Sequence, residues 1–147
     1  MINTYRRISV QGIRAEDAHN WWPKVAKWCE QALEHGGNLL TLDDVKEAVA
    51  NRDMQLWIIM DWREVTAVCV TEIRNWPRTK VLTAIIVGGQ HMDRWVVSLD
   101  DVLVRFAKDQ GCRVLNAHGR RGWTKVLNSL GWKDATVTFA KEIQNGW

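Results

Sequence analysis

In the N-terminal third of the chain apolar residues recur every three or four positions, and from Met54 onward they fall into short, strand-sized runs. This change of period divides the sequence into elements. Arg6 to Gly12 predicts a first strand. A helix follows through Trp21, Trp22, Val25, Trp28, Cys29 and Ala32, spaced for one apolar face, and His35, Gly36 and Gly37 end it. Trp21 and Trp28 share a face of that helix while Trp22 points about 100° away, so one of the three is expected to be exposed or at an interface. Thr41, with Asp44 three residues on, predicts the N-cap of a short helix carrying Val45, Ala48 and Val49, closed by Asn51 to Asp53. Leu56 to Met60, Val65 to Ile73 and Lys80 to Val87 predict three strands. Asp61 to Glu64 is short enough for a hairpin, and Asn75 to Thr79, with Pro77, reverses the chain again. The three strands therefore form an antiparallel meander that ends at Gly88 and Gly89.

Past a loop from Gln90 to Val97, Ser98 with Asp101 predicts the start of a helix whose stripe is Leu99, Val102, Leu103, Phe106 and Ala107, and Gly111 stops it. Cys112 to Ala117 predicts a buried strand, parallel to the last meander strand through a right-handed crossover. A final helix runs from about Arg120 to Leu130 with Gly131 as its left-handed cap, and Thr136 to Ile143 predicts a closing strand. The fold class is thus α/β of the α+β kind. It is a mixed sheet in which an antiparallel meander leads into a β-α-β-α-β C-terminal half.

At 147 residues the chain is expected to form a single domain over 1–147. Its 46% apolar and 25% charged residues are ordinary for a globular protein. No apolar stretch approaches a membrane-spanning length and no signal segment follows Arg6 and Arg7, so the protein is expected to stay in the cytoplasm where it is made. Cys29, Cys69 and Cys112 are odd in number and far apart, which argues for reduced thiols and against a disulfide framework or a metal site. A net charge of +3, with acidic residues scattered among the basic ones, argues against nucleic acid as a partner. Ten tryptophans change the picture more, because tryptophan serves cores and interfaces alike.

The order of elements, with Leu127-Asn128-Ser129-Leu130-Gly131-Trp132 at the end of the last helix and Ile13-Arg14-Ala15-Glu16-Asp17-Ala18 at the first strand-to-helix junction, resembles the GNAT acetyltransferase superfamily over nearly the whole chain. In that family a Gln/Arg-x-x-Gly-x-Gly/Ala loop before the long helix holds the pyrophosphate of coenzyme A on backbone N–H groups and the helix N-terminus. The corresponding stretch here, Gly88 to Ser98, has no glycine at the expected helix start and is followed by Asp100 and Asp101. The family's proton-donating tyrosine aligns with Leu127, which has no proton to give, and its small residue one turn earlier aligns with Trp123. These departures imply that no cofactor is held. A narrower resemblance, to small GNAT-like proteins of tailed-phage virion and assembly modules, rests on Gly119-Arg120-Arg121-Gly122-Trp123 and Gly131-Trp132. It implies a non-catalytic role through contacts with other protein subunits, phage structural proteins among them, with self-association and a place in the virion left open.

Two readings follow. As a binding protein, the chain would use Arg120, Arg121, Trp123, Trp21 and Trp22 as its surface; the arginines at a helix start could equally be solvated. As an acetyl-CoA-dependent N-acetyltransferase, it would hold the cofactor with Val87, Gly88, Gly89, Arg94, Ser98 and Arg120. Glu72 or His91 would then be the general base, although both are ordinary residues for a strand face and a loop.

Overall fold

The computed structural model describes residues 7–143. Strand β1 (Ile8–Ile13) is followed by a 3-10 turn (Ala15–Asn20) and by helices α1 (Trp22–His35) and α2 (Leu42–Ala50). The meander is β2 (Met54–Asp61), β3 (Glu64–Trp76) and β4 (Thr79–Gly89). Helix α3 (Met92–Asp109), β5 (Val114–Ala117), a 3-10 turn (Arg121–Trp123) and α4 (Thr124–Ser129) complete it. Arg6, the expected first residue of β1, lies outside the described residues.

The five strands form one mixed sheet in the order β1-β2-β3-β4-β5, antiparallel except for the β4–β5 pair. Alternation along β2 sends Leu56 and Ile58 to the face covered by α1 and α2, and Trp57 and Ile59 to the face covered by α3. Helix α1 buries Trp22, Val25, Cys29 and Leu33, one stripe of its surface. Helix α2 forms where expected because its start is specified locally. Thr41 accepts from the Asp44 N–H at 3.1 Å, and the Asp44 carboxylate accepts from the Thr41 N–H at 2.9 Å. The Thr41 backbone N–H first, and the Thr41 hydroxyl after it, hold the Asp44 carboxyl below its usual pKa.

Polar atoms inside the sheet are paired as a chain. The Trp57 indole N–H donates to Thr71 Oγ1 at 2.9 Å, and that hydroxyl donates to Gln55 Oε1 at 2.7 Å. Thr71 is fully buried. Thr71→Val keeps the shape but strands the indole N–H, so a loss of about 1–3 kcal/mol is expected in urea unfolding; an unchanged midpoint would mean that water reaches the indole.

Three expectations fail at the C-terminal half. Cys112 to Ala117 is not a buried strand: Cys112 precedes the strand, and β5 is a half-covered edge with Val114 45% exposed. Thr136 to Ile143 forms no strand, and Val137, Phe139 and Ile143 stand in solvent. Their alternation suits a sheet, but among the described residues β5 has β4 as its sole neighbour. Arg120 to Leu130 is a 3-10 turn joined to a short α-helix instead of one helix, although Gly131 does cap it, with φ +88° and the Trp132 N–H donating to the Leu127 carbonyl at 3.0 Å. No helix among the described residues is long and apolar enough to cross a membrane.

Candidate functional site

The turn from β4 into α3 is fixed from three sides. A Cβ on Gly88 would stand 3.1 Å from the Trp28 carbonyl oxygen, because α1 packs directly on the end of β4. Gly89 has φ +144°, and a Cβ there would meet the Thr66 carbonyl and come within 2.5 Å of Ala67 Cα. Gln90 donates its N–H to the Thr66 carbonyl at 2.9 Å and accepts from the Trp95 indole N–H at 2.7 Å. His91, left-handed at φ 59° and ψ 49°, is the N-cap, and α3 begins at Met92.

Ser98 is therefore not a helix start, and Gln90 to Val97 is not all loop. The apolar stripe runs back through Leu99 to Trp95 and Val96, and burying that pair outweighs the local cap pattern at Ser98 and Asp101. Gly88 and Gly89 lie just ahead of the helix start, separated from Met92 by Gln90 and the N-cap His91, and Asp100 and Asp101 lie more than two turns inside the helix.

Strand β5 pairs with β4 from Val81 to Ala84, and β4 continues beyond it. Beside that opening lies a pocket lined by Ala84, Val87 and Ala117 of the sheet, by Trp95, Leu99 and Asp100 of α3, and by Trp123, Leu127 and Trp132. It encloses about 40 Å³. That is room for a water or two, against the roughly 300–1,000 Å³ of ordinary ligand sites. Trp123 lies so close to Gly119 that a Cβ there would fall 2.5 Å from its ring. The Trp132 indole N–H donates to Asp100 Oδ1 at 2.7 Å and ties the segment after α4 to α3. Trp123 and Leu127, which the resemblance aligns with the family's small residue and its proton-donating tyrosine, both line this pocket.

The remaining candidates are scattered. Val87 lines the pocket, Ser98 is half-buried within α3, and Arg120 is exposed ahead of the last 3-10 turn. Arg94 pairs with Asp61 at 3.6 Å, beside an Arg7–Asp61 pair at 3.3 Å, and so serves to join α3 to the end of β2. The Arg121 side chain lies outside the described residues. Glu72 pairs with Arg74 at 2.8 Å. Since Gly89 lies opposite Ala67 on β3, Glu72 is five residues, roughly 17 Å, along the strand from the His91 turn. The two candidate bases are not brought together.

Trp22 is core, 6% exposed, and not a surface residue; Trp21 is half-buried, with the Lys24 ammonium 4.9 Å over its ring. Exposed tryptophans are found instead at hairpin tips, Trp62 at 65% and Trp76 at 60%, where their place next to turn residues was the available signal. Burial, followed by the charge of Glu30, pushes the Cys29 thiol up to about 12, and burial raises Cys69 as well, so neither supplies a thiolate. No cluster of metal-ligating side chains occurs among the described residues.

No protein-family model matches the chain, and no curated protein matches it. Solved structures do. An aminoglycoside acetyltransferase from an uncultured soil metagenomic sample superposes with a TM-score of 0.70 at 6% identity, over 97% of this chain and 100% of that one. A GCN5-related N-acetyltransferase from Ralstonia eutropha gives 0.68 at 14% identity, over 92% and 98%. Glucosamine-6-phosphate N-acetyltransferase from Arabidopsis thaliana gives 0.61 at 12%, over 93% and 99%. At such identities the likeness speaks for architecture alone. This chain has the GNAT acetyltransferase fold.

Proposed function

We propose that this chain is a binding protein built on the GNAT fold, acting through contacts with other protein subunits and not through acetyl transfer. The observation that carries the reading is the pocket beside β4 and β5, reduced to about 40 Å³ by Trp123, Leu127, Trp132 and Trp95. The residues that the resemblance aligns with the cofactor site do not suit acetyl-CoA: an indole takes the place of the small residue against which its arm packs, and leucine the place of the tyrosine that protonates the thiolate. Exposed Trp62 and Trp76 suit a surface that docks on a partner. A phage particle or its assembly as the setting rests on the Gly119–Trp123 and Gly131–Trp132 resemblance alone.

The second reading, an N-acetyltransferase with a divergent loop, is favoured by one observation: α3 starts at the end of the short turn Gly88-Gly89-Gln90-His91. Calorimetric titration with acetyl-CoA and with free CoA, alongside thermal unfolding, separates the two. The binding reading predicts no heat and no shift at millimolar ligand. A ligand at a hundred times its Kd stabilises the native state by about 2.7 kcal/mol. Such a shift with micromolar binding would establish that Trp123 moves aside and would sink the non-catalytic reading.

A further inference from the structure

Helix α1 turns a polar face toward the end of β4. Lys24, Lys27, Trp28 and Gln31 of that helix, with Gly89 and Gln90, line a cleft of about 410 Å³. This is ten times the space of the apolar pocket beside Trp123 and falls within the range of small-molecule sites. No carboxylate lines it, and neither lysine makes an ion pair among the described residues. The lysines, three residues apart, project from neighbouring positions on the helix surface, and the Lys24 ammonium is placed by its contact with the Trp21 ring.

The backbone of the walls is anchored. Gln90 is held at both its N–H and its carbonyl, and the close approach of Gly88 to the Trp28 backbone locks α1 to the sheet. Two ammonium groups without ion-pair partners among the described residues and two side-chain amides around a cleft with an anchored backbone attract an anion and can satisfy its oxygens. We propose that this cleft binds a small molecule bearing a phosphate or carboxylate group, held by Lys24 and Lys27, with Gln31 and Gln90 supplying further hydrogen bonds. The size of the cleft favours a small molecule over an acidic stretch of a partner. The site borders the same β4–α3 turn as the Trp123 pocket but shares none of its lining residues, so it does not depend on the protein-contact reading.

The test is an amide-resolved NMR titration of the full chain at low ionic strength, where screening is weak, with glucose 6-phosphate as the phosphate probe and citrate as the carboxylate probe. Saturable shifts at residues 24–31 and at Gly89 and Gln90 are expected with one or both. Which probe saturates first tells phosphate from carboxylate. Lys24→Gln combined with Lys27→Gln should weaken that binding about tenfold or more with the rest of the spectrum unchanged, because both side chains are exposed. Lys125→Gln, on α4, should leave it intact. The proposal is overturned if neither probe saturates by roughly 10 mM, or if Lys125→Gln weakens binding as much as the double variant. It is overturned equally if an aspartate-rich peptide binds there and both small anions do not.

Discussion

Gly89→Ala is expected to destabilise the protein by more than about 3 kcal/mol, at the far end of what a single methyl group does. The added carbon would run into the Thr66 carbonyl and lie 2.5 Å from Ala67 Cα and Cβ. These atoms belong to the backbone of β3 or sit directly on it, so no flexible side chain can swing away. The φ of +144° adds strain of its own, because residues with a Cβ avoid that region. Relief requires the end of β4 to lift from β3, giving up the Ala67–Gly89 and Val68–Gly88 pairing and the Gln90–Thr66 hydrogen bond. Gly122→Ala is the matched control. A Cβ there meets nothing within 4 Å, and its effect should stay within about 0.5 kcal/mol. Urea midpoints at constant slope provide the comparison. A loss below about 1 kcal/mol for Gly89→Ala would show that the β4–α3 turn has an alternative path and is not the fixed support described above.

What the sequence discloses follows from whether the deciding interaction is local. The capping box at Thr41 and Asp44 involves residues three apart, and the helix it predicts forms as expected. The meander is legible for a similar reason: short turns bring each run back beside the one before it. The start of α3 is decided instead by Trp95 and Val96 meeting the sheet, a long-range contact that a local cap signal at Ser98 conceals. On α1, spacing identifies two faces but not which one meets the sheet, and the buried one proves to carry Trp22, Val25 and Cys29. The run from Thr136 to Ile143 has the alternation of a strand, but pairing needs an edge as well as a pattern, and the described chain leaves Phe139 92% exposed. At the pocket, Trp123 of the last 3-10 turn and Leu127 of α4 are the two lining residues that the short signature singles out in the sequence. The separation of Glu72 from His91 is not legible there, since it depends on the register of β3 against β4.

Trp95→Ala should cost about 3–5 kcal/mol, as for other large aromatic residues removed from a core. Trp95 is 2% exposed, lines the pocket together with Leu99 and Trp123, and gives its indole N–H to the Gln90 carbonyl. The two contributions can be told apart. Trp95→Phe keeps most of the apolar volume and deletes the hydrogen bond, so it should lose less than the alanine variant, and amide exchange should quicken at Gln90 and His91 ahead of the core strands. The alanine variant should open space beside Val87 and Ala117 as well. It is therefore the variant in which an apolar probe or the arm of a cofactor would first find room, while Leu127 would still leave it without a proton donor. If Trp95→Ala cost under about 1 kcal/mol, the pocket wall would be loosely filled in the native protein. A loosely filled wall could yield to a ligand, and the binding reading proposed for this chain would then lose its physical basis.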